Sequence, residues 1–386
     1  MNILICTHHY PAPEALELVQ DTRVVHYFAR MLIEKGHSVQ VVHLSYRPVK
    51  EISLSRLRAI VPVYRDYEVE GVPVHLILYQ MLTPRRFYPE GFQAMLINAH
   101  LRRLKERFVP DQVFIHFPTT FTGLTELVRG CPCVLGDFHN MDVTLLQERD
   151  PKGNVRAFIR RIPAWGYRNK NVRSYLRDEL GGSPVPVYTG IDASLLSQPS
   201  FIAEKKQRRP GPLRLLYAGQ LIPLKNVDCL IRAFARLSFD AELTIIGDGP
   251  LQKQLKEIAG DDPRITFTGW LQREAVIQAM KEADVFAMVS SPETYGMVYL
   301  EAMAQGCLAV ASRGEGFDGL IRDGENGFLC APGDEEELLR VLEHIAALSP
   351  QQRGSLIDAA YALAVSMTED KTTEGFLSAN ARNPQA

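Results

Sequence analysis

The 386-residue chain has no stretch approaching the ~18 consecutive apolar residues of a membrane span. Its start, Met1-Asn2-Ile3-Leu4-Ile5-Cys6, runs straight into an apolar strand pattern. A signal peptide's basic region and cleavage site are missing. These two absences lead us to expect a cytoplasmic protein. The six cysteines, at positions 6, 131, 133, 229, 307 and 330, are scattered through apolar runs and read as buried free thiols rather than a disulfide framework. Cys131-Pro132-Cys133 has neither a common zinc spacing nor a second pair, so no metal is expected there. The first strand-to-helix turn lacks G-x-G-x-x-G, which argues against a dinucleotide oxidoreductase.

Net charge is also nearly absent, at −2, but the small total hides an asymmetry. Residues 1–209 hold 28 Lys+Arg against 20 Asp+Glu, a balance of +8; residues 210–386 hold 43−28 = 15 against 45−20 = 25, a balance of −10. A basic first half points to an anionic membrane surface or a phosphate-bearing acceptor. Nucleic acid is not expected, because the basic residues are not interleaved with a stacking platform or a known reading motif. Arg85, Arg86, Arg102, Arg103, Lys105 and Arg107 cluster beside Phe87, Tyr88 and Phe92, which is either a solvated helix face or a contact with lipid phosphate.

A hydrophobic content of 46% and a charged content of 23% are those of an ordinary globular protein, and the length suggests two domains. Residues 2–7, 21–35 and 39–44 read as strand, helix and strand, a Rossmann-like opening. Glu70-Gly71 is expected at the tip of a hairpin of two edge strands. Residues 197–212, rich in Pro, Lys and Arg, read as a linker. The expected domains are therefore 1–196 and 213–386.

Residues 284–311 contain the densest constellation. An apolar run, 285–289, is followed by turn formers Ser290, Ser291 and Pro292. A helical pattern then takes Tyr295, Val298, Leu300, Ala302 and Met303 as apolar positions, Gly306 ends it, and 308–311 form the next strand. Glu293 lies in the loop and Glu301 eight residues later, about two helical turns on, near the same face. Gly296 allows close backbone approach to a ligand, and the helix N–H groups after it, Met297 and Val298, suit an anion. His139 sits after a strand, where open α/β sheets bind ligands, although a lone His is more often structural. Asp142 is near enough in sequence to orient it.

The segment "SPETYGMVYLEAMAQGCLAVAS" resembles the E-x7-E signature of family 4 retaining glycosyltransferases, and the "ARMLIEKGHSVQVV" opening is also similar to theirs. "GQLIPLKNVDCL" resembles the donor-diphosphate segment, and the run from Ser312 through "GENGFLCAPGDEEE" matches the family's glycine-punctuated end. The hairpin region resembles bacterial surface-polysaccharide members. The resemblance implies an α/β protein of GT-B fold, two Rossmann-like domains facing across a cleft. It implies transfer of a hexosyl or N-acetylhexosaminyl group from a nucleoside-diphosphate sugar to a glycan or lipid-linked acceptor, with retention and no required metal. A location peripheral to the inner face of the membrane goes with it. The chain has no D-x-D motif.

By the same resemblance Glu293 contacts donor sugar hydroxyls and Glu301 the ribose. Lys225 and Gln220 hold the diphosphate, with Gly296, Met297 and Val298. Backbone at Gly269, Trp270 and Leu271 holds the base, and His139 with Asp142 places the acceptor, with His116 as a second family histidine. Trp270 is equally well read as core or surface filler. The chain departs from the family at Gln220 (usually Arg), Asn226 (usually Gly), Gly319 (usually Glu) and the glycine-free loop 14–21. Those departures keep open a non-catalytic partner subunit, and a GT-B nucleotide-sugar epimerase is a further alternative. A phosphorylase would need a pyridoxal-phosphate lysine site, for which there is no signature.

Overall fold

The computed structural model describes residues 1–13, 23–48, 61–81, 88–150, 152–207 and 211–381. Loop 14–21 and the Arg85-Arg86-Phe87 cluster lie outside the described residues. Two compact units emerge: Met1–Arg168, Val172–Tyr188 and the segment from Thr373 form the first, and Asn169–Asn171 with Thr189–Thr372 form the second. None of the described helices is long and apolar enough to cross a membrane.

The first unit begins with β1 (Asn2–Thr7), α1 (Val24–Glu34), β2 (Ser38–Pro48), β3 (Val63–Val69) and β4 (Val72–Met81). Then come α2 (Gly91–Phe108), β5 (Gln112–His116), β6 (Cys133–Phe138), α3 (Asn140–Glu148) and α4 (Asn154–Ile159). It closes with β7 (Ala164–Tyr167), α5 (Lys170–Asp178) and β8 (Val185–Pro186). The sheet order is β3-β4-β2-β1-β5-β6-β7-β8, parallel except for β3 against β4. Strands such as Ile3–Cys6 are buried on both faces, which is why they read as unbroken apolar runs rather than alternating ones. The hairpin forms as expected at Glu70-Gly71, both residues left-handed (φ 46° and 82°), the geometry of a type I′ turn. Only β3 is an edge, however: β4 pairs in parallel with β2, because its apolar face needs cover from both sides. Arg23 (2.8 Å), Arg30 (2.8 Å) and His26 (3.2 Å) all reach the Glu70 carboxylate. His26 first, then the two guanidinium groups, pull its pKa down to about 2.

The second unit opens with α6 (Pro199–Lys206), β9 (Leu213–Ala218), α7 (Val227–Ala235), β10 (Ala241–Ile246), α8 (Gln252–Ala259) and β11 (Ile265–Gly269). It continues through α9 (Arg273–Glu282), β12 (Val285–Met288), α10 (Met297–Ala304), β13 (Leu308–Ser312) and β14 (Phe328–Cys330). The last helices are α11 (Glu335–Ala347), α12 (Pro350–Ser366) and α13 (Glu369–Ala381). The parallel sheet runs β11-β10-β9-β12-β13-β14. The end of α13 belongs to the first unit, where buried Phe376 packs on Phe28 and Phe114 with both ring centroids at 5.1 Å. Burying a Phe of this kind is worth about 2–3 kcal/mol.

Residues 197–212 are not a linker throughout. Within them α6 starts on Pro199, a good first helical residue, and docks on the second unit. Lys205 is buried, and its ammonium donates to the carbonyls of Met280 (3.0 Å) and Gln305 (2.8 Å). Ser197 donates to Gln305 Oε1 at 2.6 Å, and Tyr361 donates to the Ser197 carbonyl at 2.6 Å. Apart from Asn169–Asn171, the second unit thus starts at Thr189 rather than 213.

One glycine in the second sheet admits no side chain. Gly247 follows β10 at φ 135°, and a Cβ there would overlap the Gly219 carbonyl. That carbonyl is held close because Gly219 N–H donates to Ile246 at 3.0 Å. Gly247→Ala should therefore cost roughly 3 kcal/mol. Chemical unfolding of the second unit would show this as a lower midpoint with an unchanged slope.

Candidate functional site

The second sheet steps outward from β9 to β10 and β11, then returns to place β12 on the other side of β9. The strand order reverses between β9 and β12, and an open parallel sheet binds ligands beyond the carboxyl ends of its strands at such a point. The turn after β9 carries Gly219, Gln220 and Lys225; the turn after β12 carries Ser290 to Gly296. Lys225 Nζ and Glu293 Oε2 are 2.6 Å apart, both largely buried, and Ser290 donates to the same oxygen at 3.0 Å. One backbone and one side-chain bond hold the turns together: Ser291 N–H donates to the Leu224 carbonyl (2.8 Å), and Asn226 Nδ2 to the Val289 carbonyl (2.8 Å). Asn226 is left-handed (φ 47°), so the usual glycine is replaced by the side chain that best tolerates this conformation.

Gly296 (φ 86°) caps α10; a Cβ there would meet the Tyr299 ring at 2.5 Å. The buried Tyr299 donates to the Met288 carbonyl at 2.5 Å, fixing the helix start against the end of β12. The turn before the helix is longer than expected. Tyr295 lies outside α10, so Glu293 and Glu301 do not share a helical face. Each has a partner of its own instead. Arg273, from the start of α9, donates to Glu301 Oε1 at 2.7 Å. Burial raises the Glu301 pKa and Arg273 opposes the rise.

Glu315 is a residue the sequence reading missed. It accepts from Ser291 Oγ (2.7 Å) and from the Glu293 N–H (2.8 Å), and so shapes the Glu293 turn. Its flanking glycines were read only as punctuation. Gly316 is in fact constrained, because a Cβ there would lie 2.6 Å from Tyr295 backbone. Gln220 is exposed, as is Trp270 at 66%, which settles that Trp270 is not core. Gly269 ends β11 at φ 73°, with Leu271 half-buried beyond it.

In the first sheet the strand order reverses between β1 and β5. His9 follows β1, His116 ends β5 and His139 follows β6. His139 is buried, and its Nε2 is 3.1 Å from Asp137 Oδ2. Arg168, just past β7, donates to the same oxygen from Nη2 (2.7 Å) and Nε (2.9 Å). Burial works to raise the Asp137 pKa, but Arg168 and His139 outweigh it and hold it below the ordinary value. Burial depresses the pKa of both histidines, His116 strongly.

Asp142 does not orient the His139 ring. Its carboxylate is occupied at the start of α3 by the His139 N–H (2.8 Å), the Thr119 N–H (3.1 Å) and Thr119 Oγ1 (2.5 Å). At the third helical position it reaches back to the N-cap. The ring's carboxylate is Asp137, two residues before His139 in an extended segment, where alternate residues share a face.

Comparison with known proteins agrees with this architecture. Residues 212–347 match the family model described as glycosyl transferases, group 1. The chain is 34% identical to the sulfoquinovosyl transferase of Arabidopsis thaliana over 40% of its length and 32% of that protein. It is 27% identical to the phosphatidyl-myo-inositol mannosyltransferase of Mycolicibacterium smegmatis over 88% of its length and 83% of that protein. It therefore spans about a third of the first of these relatives and most of the other. The Anabaena protein HepE in complex with UDP has the same fold, with TM-score 0.67 and 18% identity over 99% of this chain and 100% of that one. Fold and motif order thus define a GT-B protein. Within that class residues 212–347 resemble the group 1 glycosyl transferases, and the chain is similar to bacterial surface-polysaccharide and lipid-modifying members.

Proposed function

We propose that the protein is a retaining glycosyltransferase that moves a sugar from a nucleoside-diphosphate sugar to a lipid-linked glycan of the cell surface. The observation that carries this reading is the Lys225–Glu293 pair at the β9/β12 switch point, beside the N-terminus of α10. A departing diphosphate needs positive potential, which a half-buried ammonium and a helix N-terminus both supply. In this reading Lys225 and Gln220 hold the diphosphate with the N–H groups of Met297 and Val298. Glu293 takes sugar hydroxyls and Glu301 the ribose. Backbone from Gly269 to Leu271 takes the base. The C–O bond to the diphosphate breaks as the acceptor oxygen bonds to the same face of the anomeric carbon, and the acceptor's proton passes to the leaving phosphate. On the first unit His139 contacts the acceptor. The chemistry needs no metal, because Lys225 and the α10 N-terminus carry the positive charge.

The names of similar proteins support a lipid-borne acceptor: one is a phosphatidyl-myo-inositol mannosyltransferase and another an alpha-monoglucosyldiacylglycerol synthase. The basic first half suits an anionic membrane surface, although part of its charge is used internally, as where Arg102 pairs with Glu126 at 2.8 Å. The test is thermal stabilisation and calorimetric titration with UDP, GDP, ADP and their sugars. A ligand at about 100 Kd stabilises by about 2.7 kcal/mol. A folded protein that binds no nucleoside diphosphate would refute the transferase reading and favour a non-catalytic subunit.

A further inference from the structure

The histidine cluster of the first unit has the composition of a metal site and the wiring of something else. One donor atom each from His116, Asp137 and His139 lies within 4.8 Å of the others, and all three residues are buried. Two imidazoles and a carboxylate at this spacing are a donor set that a divalent transition metal takes. Arg168 occupies the same ground. Its guanidinium donates twice to Asp137 Oδ2 and its Nε lies 3.2 Å from His139 Nε2. A metal bonds such ligands at about 2 Å. It could not reach them without pressing against a fixed positive charge.

We propose that Arg168 is the built-in cation of this cluster: it takes the place of a divalent metal and, through Asp137, positions His139. The exclusion of metal stands on the geometry alone, whereas the value of positioning His139 rests on the proposed role of that histidine toward the acceptor. The charge-assisted bonds from Arg168 Nη2 and Nε to Asp137 Oδ2 are shorter than the 3.2 Å contact to His139 Nε2, so they take the guanidinium protons. His139 Nε2 then keeps its own proton, donated to Asp137 Oδ2 at 3.1 Å. The opposite ring atom, Nδ1, becomes an acceptor. Nδ1 of His139 and Oδ1 of Asp137 are buried and have no hydrogen-bond partner among the described residues. A ligand hydroxyl is the chemical group these atoms suit, because an O–H can donate to either. His116 is oriented separately, its Nδ1 lying 3.1 Å from Thr7 Oγ1.

The experiment is titration of the chelator-treated chain with Co2+, whose visible d–d absorption reports histidine and carboxylate ligation. The wild-type chain should show no such band at stoichiometric Co2+. Arg168→Met should acquire it, with affinity raised by about 10²-fold or more once the like charge is gone. Arg168→Lys, which keeps the charge, should remain like wild type. Stoichiometric ligation by the wild type, or no gain in a folded Arg168→Met, overturns the proposal. Should Arg168→Met fail to fold, nitrogen NMR of the wild-type imidazoles decides: His139 protonated on Nε2 supports the proposal, and protonation on Nδ1 overturns it. UDP titration of the same samples keeps the two readings apart. Loss of UDP binding in the wild type would sink the transferase reading and leave the cobalt result standing.

Discussion

Lys225→Ala should slow sugar transfer by about 10²–10³-fold, the usual cost of removing a preorganised group that stabilises developing charge. The measurement is release of nucleoside diphosphate from whichever sugar nucleotide stabilises the protein, with a membrane-lipid extract as acceptor. The size of the effect follows from the site's rigidity. The Lys225 turn cannot drift, because its neighbour Asn226 is locked left-handed and tied to the Val289 carbonyl, while Leu224 is tied to Ser291. The ammonium is therefore held where it is. In the proposed donor site Gln220, where the resemblance would place a guanidinium, offers no charge beside Lys225. The same substitution strips Glu293 of its 2.6 Å partner, with a modest stability cost of about 1 kcal/mol for a pair with some solvent access. Glu293→Gln separates the roles, because it removes the carboxylate charge and leaves the ammonium. If it spares UDP binding and abolishes transfer, Glu293 acts on the sugar. Unchanged turnover in Lys225→Ala would remove Lys225 from the donor site.

What could be read from the sequence follows from what is local. The parallel strands were legible because burial on both faces writes them as unbroken apolar runs, as at Ile3–Cys6 and Val285–Met288. Gly296 and Gly306 were legible because both adopt positive φ at the ends of one helix. The pairings across the sheets were not. Asp137 and Arg168 are 31 residues apart and meet only because β6 and β7 are neighbours, with Asp137 opposite Gly166. Arg273 and Glu301 meet for a similar reason, when α9 and α10 pack together. Residues 197–206 misled by composition. Lysine and proline resemble a solvated linker until Lys205 finds two carbonyls in the interior, which no local pattern announces. Asp142 misled by proximity: it lies three residues from His139, but helix capping takes its carboxylate.

The stability of the first unit should decline as pH falls below about 6.5, because its buried histidines resist the protons that the unfolded chain takes up. His116 and His139 are buried, and burial depresses both pKa values; His139, Arg168 and His9 lower His116 further, while at His139 Asp137 opposes the fall and Arg168 and His9 add to it. A base depressed in the folded state contributes stability that is present above its unfolded pKa of about 6.5 and is lost as pH falls through the folded value. Both histidines therefore push the slope in the same direction. Asp142 works the other way. Burial lifts its pKa to about 7 against the donors from Thr119 and His139, so the folded state takes up a proton there that the unfolded chain leaves off until about 3.9. His37 and His100, in the same unit and also depressed by burial, add to the histidine side, so the losses outweigh the one gain. Asp137, held low by Arg168 and His139, adds its own loss only below about 3.9. Trp165 gives the readout: it is part-buried in this unit, with Nε1 donating to the Ile162 carbonyl at 2.9 Å, while Trp270 in the other unit is already exposed. Urea unfolding followed by fluorescence at several pH values yields the slope. His116→Gln removes the most strongly depressed of these histidines and should make the dependence shallower. A wild-type curve already flat between pH 7 and 5 would mean that at least one of the two histidines takes up its proton without leaving the fold. That would contradict the balance in which Arg168 is the only positive charge the cluster tolerates.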